Sequence, residues 1–384
     1  MTSAGTRLRL RNVRRLAEIP ASDWDALFAS PYPFTKHAWL AGLEAEGCVG
    51  EDTGWEPFHL VAEDEQGRLR GAVPLYLKHH SYGEFVFDFA WADASHRLRR
   101  PYYPKLVCAI PFVPSAGPRL AADAPEVRER LVHALSGLAT DTKSSSLHVL
   151  FPGDDDATAL RAQGFLERHD TQFHWIDRDY GCFAGFVAGF TSDKRKKLLR
   201  ERRKVAEAGI TFEVKRGAEL TDAEWAHVYR LYANTYHERG QPPYFTRAFL
   251  ARVGRDPALD LRLVCARDGD RQVAVALTFV GGDTLYGRHW GAAAHYDSLH
   301  FECCYYQGIE LCLGQGLKRF DAGTQGAHKL GRGFDPVETR SFHELADPRL
   351  REAVAEYLAR ERRAVAARAV DLMHHTPYRE LGRE

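Results

Sequence analysis

Leu261-Arg-Leu-Val-Cys-Ala-Arg-Asp-Gly-Asp-Arg-Gln-Val-Ala-Val-Ala-Leu-Thr-Phe-Val280 decides the reading of the fold. Two β-rich runs flank Asp268-Gly-Asp, and Asp-Gly between such runs is the strongest short hairpin signal. Working outward, Thr284-Leu-Tyr-Gly-Arg-His-Trp290 reads as a third strand. Residues 301–314 carry a helical period with Cys304, Ile309, Leu311 and Cys312 on overlapping faces. Lys318-Arg-Phe-Asp-Ala-Gly323 and residues 337–342 read as two further strands. Upstream, residues 222–237 and 246–253 read as helices, the first opened by Thr221-Asp-Ala-Glu224, a capping box.

The first half follows the same plan. His59-Leu-Val-Ala-Glu-Asp64 and Gly71-Ala-Val-Pro-Leu-Tyr-Leu77 flank a Gly-containing turn. A third β-rich run is expected at Glu84-Phe-Val-Phe-Asp-Phe-Ala-Trp91. A helix over 125–140, a strand at Leu147-His-Val-Leu-Phe151, a short helix near 156–163 and a strand at 172–176 complete it. A unit repeated at more than ~100 residues is a duplicated domain rather than a solenoid. The expectation is a mixed α/β protein with domains at 1–182 and 183–384. The second includes a basic linking helix (193–208) and a long C-terminal helix (347–374).

Composition narrows the function classes. The chain has 384 residues with 52 Lys and Arg against 52 Asp and Glu, so no global charge draws it to nucleic acid or an anionic membrane. The N-terminal segment lacks the apolar core of a secretory signal, and no run approaches the ~18 apolar residues of a membrane span. Seven scattered cysteines without a CxxC pair argue against a disulfide framework and a structural zinc site, so no metal is expected. A cytoplasmic protein is expected on these grounds.

Long motifs carry a resemblance. They include Gly54-Trp-Glu-Pro-Phe-His-Leu60, Leu75-Tyr-Leu-Lys-His-His-Ser-Tyr-Gly-Glu-Phe-Val-Phe-Asp88, Tyr102-Tyr-Pro-Lys-Leu106 and Gln172-Phe-His-Trp175. In the second half they include Tyr286-Gly-Arg-His-Trp-Gly291, Leu299-His-Phe-Glu-Cys-Cys-Tyr-Tyr-Gln307 and Gly323-Thr-Gln-Gly-Ala-His-Lys-Leu-Gly-Arg-Gly-Phe334. The order of elements resembles the GCN5-related N-acetyltransferase (GNAT) fold, present twice in tandem. The motifs, spanning about residues 33–377, resemble the FemAB-like family of N-acyltransferases. That resemblance implies transfer of an acyl or aminoacyl group to an amine. The better-known Fem relatives take aminoacyl-tRNA as donor and a peptidoglycan precursor as acceptor. One departure stands out: where family members usually carry an acidic residue before His-Lys, this chain has Ala327.

Acyl transfer to an amine requires proton removal, oxyanion stabilisation and positioning of both reactants. The Gly-rich stretch 321–334 offers His328 for the proton, with Lys329, Arg332 and Gln325 for an anionic substrate. Alternation along one strand places Tyr286, Arg288 and Trp290 on a shared face. Glu302 opens the following helix and, with Ala327 removing the other carboxylate, is a candidate base or the partner of Arg288 or His328. In the first half, Glu84 and Asp88 share strand parity, and with Tyr103 and Lys105 they read as an acceptor cleft. The basic helix places Lys194, Arg195 and Lys197 for tRNA or CoA phosphates. The pyrophosphate loop of ordinary acetyltransferases is not evident, which favours aminoacyl-tRNA over acyl-CoA; no tightly bound cofactor is expected. His148 and His174 read as core histidines. The rival reading is a non-catalytic GNAT-fold module binding a peptide, glycan or tRNA, and Ala327 keeps it open.

Overall fold

The computed structural model describes residues 7–324 and 326–379. The chain forms two compact units. One comprises the described chain up to Asp170 together with Thr339–Ala366; the other comprises Thr171–Glu338 together with the chain from Ala367. The units are therefore not the consecutive halves 1–182 and 183–384. The strands Leu166–Ile176 and Asp335–Leu345 each begin in one unit and end in the other.

In the first unit a small antiparallel sheet runs Arg9–Val13, His59–Glu63, Leu69–Val73, Ala121–Ala122. Beside it run Trp55–Pro57, Leu75–Lys78, Lys105–Cys108 and Ser146–Leu150, ending on residues 341–345. Only Lys105–Cys108 and Ser146–Leu150 are parallel in this set. The helix Pro125–Asp141 supplies the crossover and buries Val127, Leu131, Val132 and Leu135 in the main core. The expected third strand at 84–91 is instead an irregular loop followed by the helix Phe89–Arg97. Its aromatic residues resemble a strand in composition, but their partners lie in tertiary structure.

The second unit is an antiparallel meander, Ile210–Arg216, Asp260–Asp268, Arg271–Gly281 and Thr284–Ala292. The 268–271 turn closes on Gly269 at φ +56°, as the Asp-Gly signal requires. Arg319–Asp321 then joins Thr284–Ala292 in parallel and pairs with residues 174–176 on its other side. The crossover between the parallel strands is a helical segment, Leu299–Phe301 and Gln307–Gln315, interrupted by a π-turn at Glu302–Tyr306. The expected capping box is present, with Glu224 N–H donating to Thr221 Oγ1 at 3.3 Å and Thr221 N–H donating to Glu224 Oε2 at 2.8 Å.

Candidate functional site

Two features of the strand Thr284–Ala292 build the site. Its parallel pairing with Arg319–Asp321 holds for three residues, Thr284↔Arg319 to Tyr286↔Asp321, and then stops. Beyond it Gly323, at φ +86°, turns the chain away and a wedge opens between the strands. On the antiparallel side, Leu277 pairs with His289 while Thr278 pairs with Gly287, so Arg288 is the extra residue of a β-bulge. The bulge resets the alternation. Trp290 shares the Gly287 face, towards the helix Gln307–Gln315 side, while Tyr286 shares the His289 face. The expected common face for Tyr286, Arg288 and Trp290 is thus broken by one inserted residue.

The bulged Arg288 reaches Asp321, donating at 2.6 and 3.2 Å to its two carboxylate oxygens, with both side chains buried. Burial alone would raise the Asp321 carboxyl; Arg288 overrides it and holds it well below the usual carboxylate range. Asp321 also accepts the Gly323 N–H at 3.0 Å, which ties the start of the glycine loop to the ion pair. His174 Nε2 stands 3.7 Å from the same carboxylate.

The loop continues into a short 3₁₀ helix, Ala327–Arg332. Lys329 is buried and donates to the Gly323 carbonyl at 2.7 Å. Burial draws its amine down to about 8, with Asp321 opposing and Arg288 adding to the fall. His328 Nε2 lies 2.9 Å from the Tyr305 hydroxyl. Partial burial, then Arg332 and Lys329, push its imidazole pKa below the ordinary value, so the ring is neutral at pH 7. A series of rings links this group to the bulged strand: His328 to Tyr305 at 5.8 Å, Tyr305 to His300 at 5.5 Å, His300 to Trp290 at 5.4 Å. His300 is drawn down to about 4 by burial and by His328 and the nearby cations. The structure thus brings Arg288, Trp290, His300, His328 and Lys329 to one wedge. It adds Asp321, which the sequence reading placed only as the start of the glycine stretch, and Tyr305.

Other expected residues lie elsewhere. Glu302, in the π-turn, receives three hydrogen bonds from Arg202 at 2.9–3.2 Å and one from Gln307 at 2.8 Å. It faces the helix Ser192–Glu207, and the two partner roles expected of it are filled by other residues: Asp321 holds Arg288, and Tyr305 meets His328. Arg332 is not an open hand for substrate. It donates to Glu201 at 2.8 Å and to the His328 carbonyl at 2.7 Å, and its guanidinium lies 3.4 Å from the Phe301 ring centroid. Glu201 belongs to the basic helix, whose buried stripe is Leu198, Glu201 and Val205. Lys194 and Lys197 are exposed on its outer side and Arg195 is half-buried. Gln325 lies outside the described residues.

In the first unit the expected acceptor residues form a buried network rather than an open cleft. Lys105 donates to Ser81 Oγ at 2.8 Å, Glu84 Oε2 at 2.8 Å and Asp88 Oδ2 at 2.5 Å, and all three charged groups are buried. Tyr102 OH donates to Asp88 at 2.7 Å, and Tyr103 OH meets Ser81 at 2.8 Å. Burial raises Glu84 to about 7, with Lys105 opposing, and lowers Lys78 to about 7, with Glu84 opposing. His148 and His343 share a 2.6 Å Nδ1–Nδ1 hydrogen bond, and burial holds both neutral. Among the described residues no cluster of His, Cys, Asp and Glu could hold a metal ion, and no helix is long and apolar enough to cross a membrane.

Solved structures share this architecture at low identity. FemX aligns at TM-score 0.52 with 13% identity, covering 88% of this chain and 98% of that one. L-PGS from Bacillus licheniformis aligns at 0.50 with 10% identity, covering 84% and 95%. A tandem GNAT protein from the clavulanic acid biosynthesis pathway aligns at 0.46 with 13% identity, covering 89% and 99%. No curated protein matches the chain. The fold is a tandem GNAT fold. With the sequence profile matching residues 15–380, the chain belongs to the FemAB_like family, described as peptidoglycan biosynthesis/recognition.

Proposed function

We propose that this protein is an N-acyltransferase that moves an acyl or aminoacyl group to an amine on a peptide or peptidoglycan-type acceptor. The observation that carries the reading is the wedge where Thr284–Ala292 and Arg319–Asp321 part, lined by a neutral His328 and by buried cations. In the reaction the amine nitrogen attacks the acyl carbonyl carbon. A C–N bond forms, the ester or thioester bond to the donor breaks, and His328 takes the amine proton and returns it to the departing oxygen or sulfur. Lys329 places positive charge where the oxyanion develops, and the Arg288–Asp321 pair fixes the start of the glycine loop beside it. Ala327 leaves that proton to the imidazole, because Glu302 is held by Arg202.

Aminoacyl-tRNA is the preferred donor and acyl-CoA the second. The exposed lysines on Ser192–Glu207 suit a phosphate backbone. Donor consumption by purified protein, measured with aminoacyl-tRNA and with acyl-CoA beside an amine acceptor, tests the reading. Consumption of neither would favour the non-catalytic binding module that Ala327 keeps open. Changing Lys194, Arg195 and Lys197 together to Ala is expected to weaken tRNA binding and flatten its salt dependence; unchanged affinity at several salt concentrations would remove the helix from donor recognition.

A further inference from the structure

The basic run Lys194–Lys204 of the helix Ser192–Glu207 holds one acidic residue, Glu201, and that residue turns inward. It stands in the buried stripe between Leu198 and Val205. An apolar side chain would fill that place without the cost of desolvating a charge. What Glu201 adds lies in its partners. Its Oε1 receives Arg332 at 2.8 Å, and its Oε2 receives the hydroxyl of Tyr306, a fully buried residue of the π-turn.

Those partners bracket His328. Arg332 donates its other terminal nitrogen to the His328 carbonyl at 2.7 Å, and its guanidinium packs 3.4 Å from the Phe301 ring centroid. Tyr305, next to Tyr306 in the chain, meets the His328 ring at Nε2. The contacts close a circuit from Tyr305 through His328, Arg332 and Glu201 to Tyr306. The π-turn thereby grips the imidazole directly and the His328 backbone through Glu201. The backbone has need of such a grip, because His328 lies between Gly326, at φ +115°, and Gly333, at φ +87°, where local preference restrains the chain little.

The charges follow the same geometry. The His328 ring is met by Arg332 and Lys329 from its own 3₁₀ helix, by His300 and Tyr305 from residues 299–306, and by Glu201 from the helix Ser192–Glu207. After burial, Arg332 and Lys329 disfavour its protonation, and Glu201 opposes them. We infer that Glu201 is a positioning residue for acyl transfer: through Arg332 it fixes the backbone of His328, and it offsets the Arg332 charge beside the imidazole. The inference rests on the proposed role of His328 as the base. Small displacements of a catalytic group cost large factors in rate, so a clamp two residues removed from the chemistry still governs it.

Two readouts on the full chain test the clamp. One is the titration midpoint of the His328 imidazole by nuclear magnetic resonance, assigned by loss of its signal in His328→Ala. The other is steady-state kinetics with the donor that the parent protein consumes. Glu201→Gln keeps the shape and removes the charge. It should move the midpoint to lower pH, because Arg332 then acts unopposed, and lower kcat about ten- to a hundredfold with KM little changed. Arg332→Gln should move the midpoint the opposite way, to higher pH. A role in helix packing alone predicts neither shift. Glu201→Asp, which keeps the charge, should hold the midpoint near that of the parent and recover part of the lost kcat. Glu207→Gln, at an exposed acid of the same helix, should change neither readout. If a lone buried ion unfolds a single variant, as thermal unfolding would reveal, Glu201→Gln combined with Arg332→Gln removes both charges. The midpoint should then rise, since Arg332 is the stronger influence, and kcat should still fall. The proposal is overturned if folded Glu201→Gln keeps the parent midpoint or the parent kcat, or if the double variant used in its place does so. A parent protein that consumes no donor overturns the transferase reading instead, and the midpoint still decides whether Glu201 governs His328.

Discussion

At the scale of single residues, the proposed site rests on an imidazole set beside cations. Burial, with Lys329 and Arg332, disfavours protonation of His328, so its ring stays a competent proton acceptor below the ordinary histidine range. His328→Ala is expected to lower kcat by roughly 10²-fold or more with the fold intact. In the parent protein the acid limb of kcat/KM should lie below about pH 6.5. Lys329→Met removes one repelling charge, so His328 should gain its proton more readily and that limb should move to higher pH. A limb that stays in place would take Lys329 out of the electrostatics of the base. Arg288 presents a different case, because its guanidinium and Asp321 are both buried. Arg288→Ala strands a carboxylate in the interior and should cost about 3–5 kcal/mol, measured by urea unfolding. The role of Asp321 in pairing with Arg288 was not apparent in sequence, since 33 positions separate the two. His328, by contrast, stood out in sequence within its glycine-rich stretch, and the structure sets it against Tyr305.

At the scale of elements, local signals were reliable where the chemistry is local. The Thr221 and Glu224 cap closes within four residues, so propensity and structure agree. Thr221→Ala is expected to destabilise the second unit by about 1 kcal/mol, read from denaturant midpoints. The Asp-Gly hairpin formed for the same reason. Two elements departed from their pattern. The bulge at Arg288 interrupts a strand whose sequence alternates smoothly, and it reverses the face that Trp290 presents. The π-turn Glu302–Tyr306 interrupts a helix whose period reads as regular, and within it Glu302 meets Arg202. Both irregularities border the wedge, where local rules give way to the geometry of a site.

At the scale of the whole molecule, the compact units interleave along the chain. The first unit is completed by residues 341–345 pairing with Ser146–Leu150, and by Leu345, Leu350, Val354 and Leu358 packing with Trp91 and Tyr102. A fragment ending at residue 182 lacks all of these. It should therefore show the weak amide protection of an unfinished core, whereas a cooperative, protected fragment would contradict the division found here. By itself the sequence determined the tandem α/β plan, nearly every strand and helix of the second unit, the cap, the hairpin and the family. Each of those follows from periods of 2 or 3.6 residues, from turn chemistry or from long shared motifs. Only the tertiary structure decided that Asp321 holds Arg288, that Glu302 turns to Arg202, that Lys105 and its carboxylates are buried, and that the strands Leu166–Ile176 and Asp335–Leu345 each begin in one unit and end in the other. Those outcomes are contacts between residues tens to hundreds of positions apart, and no local periodicity encodes which distant partner a charged side chain will find.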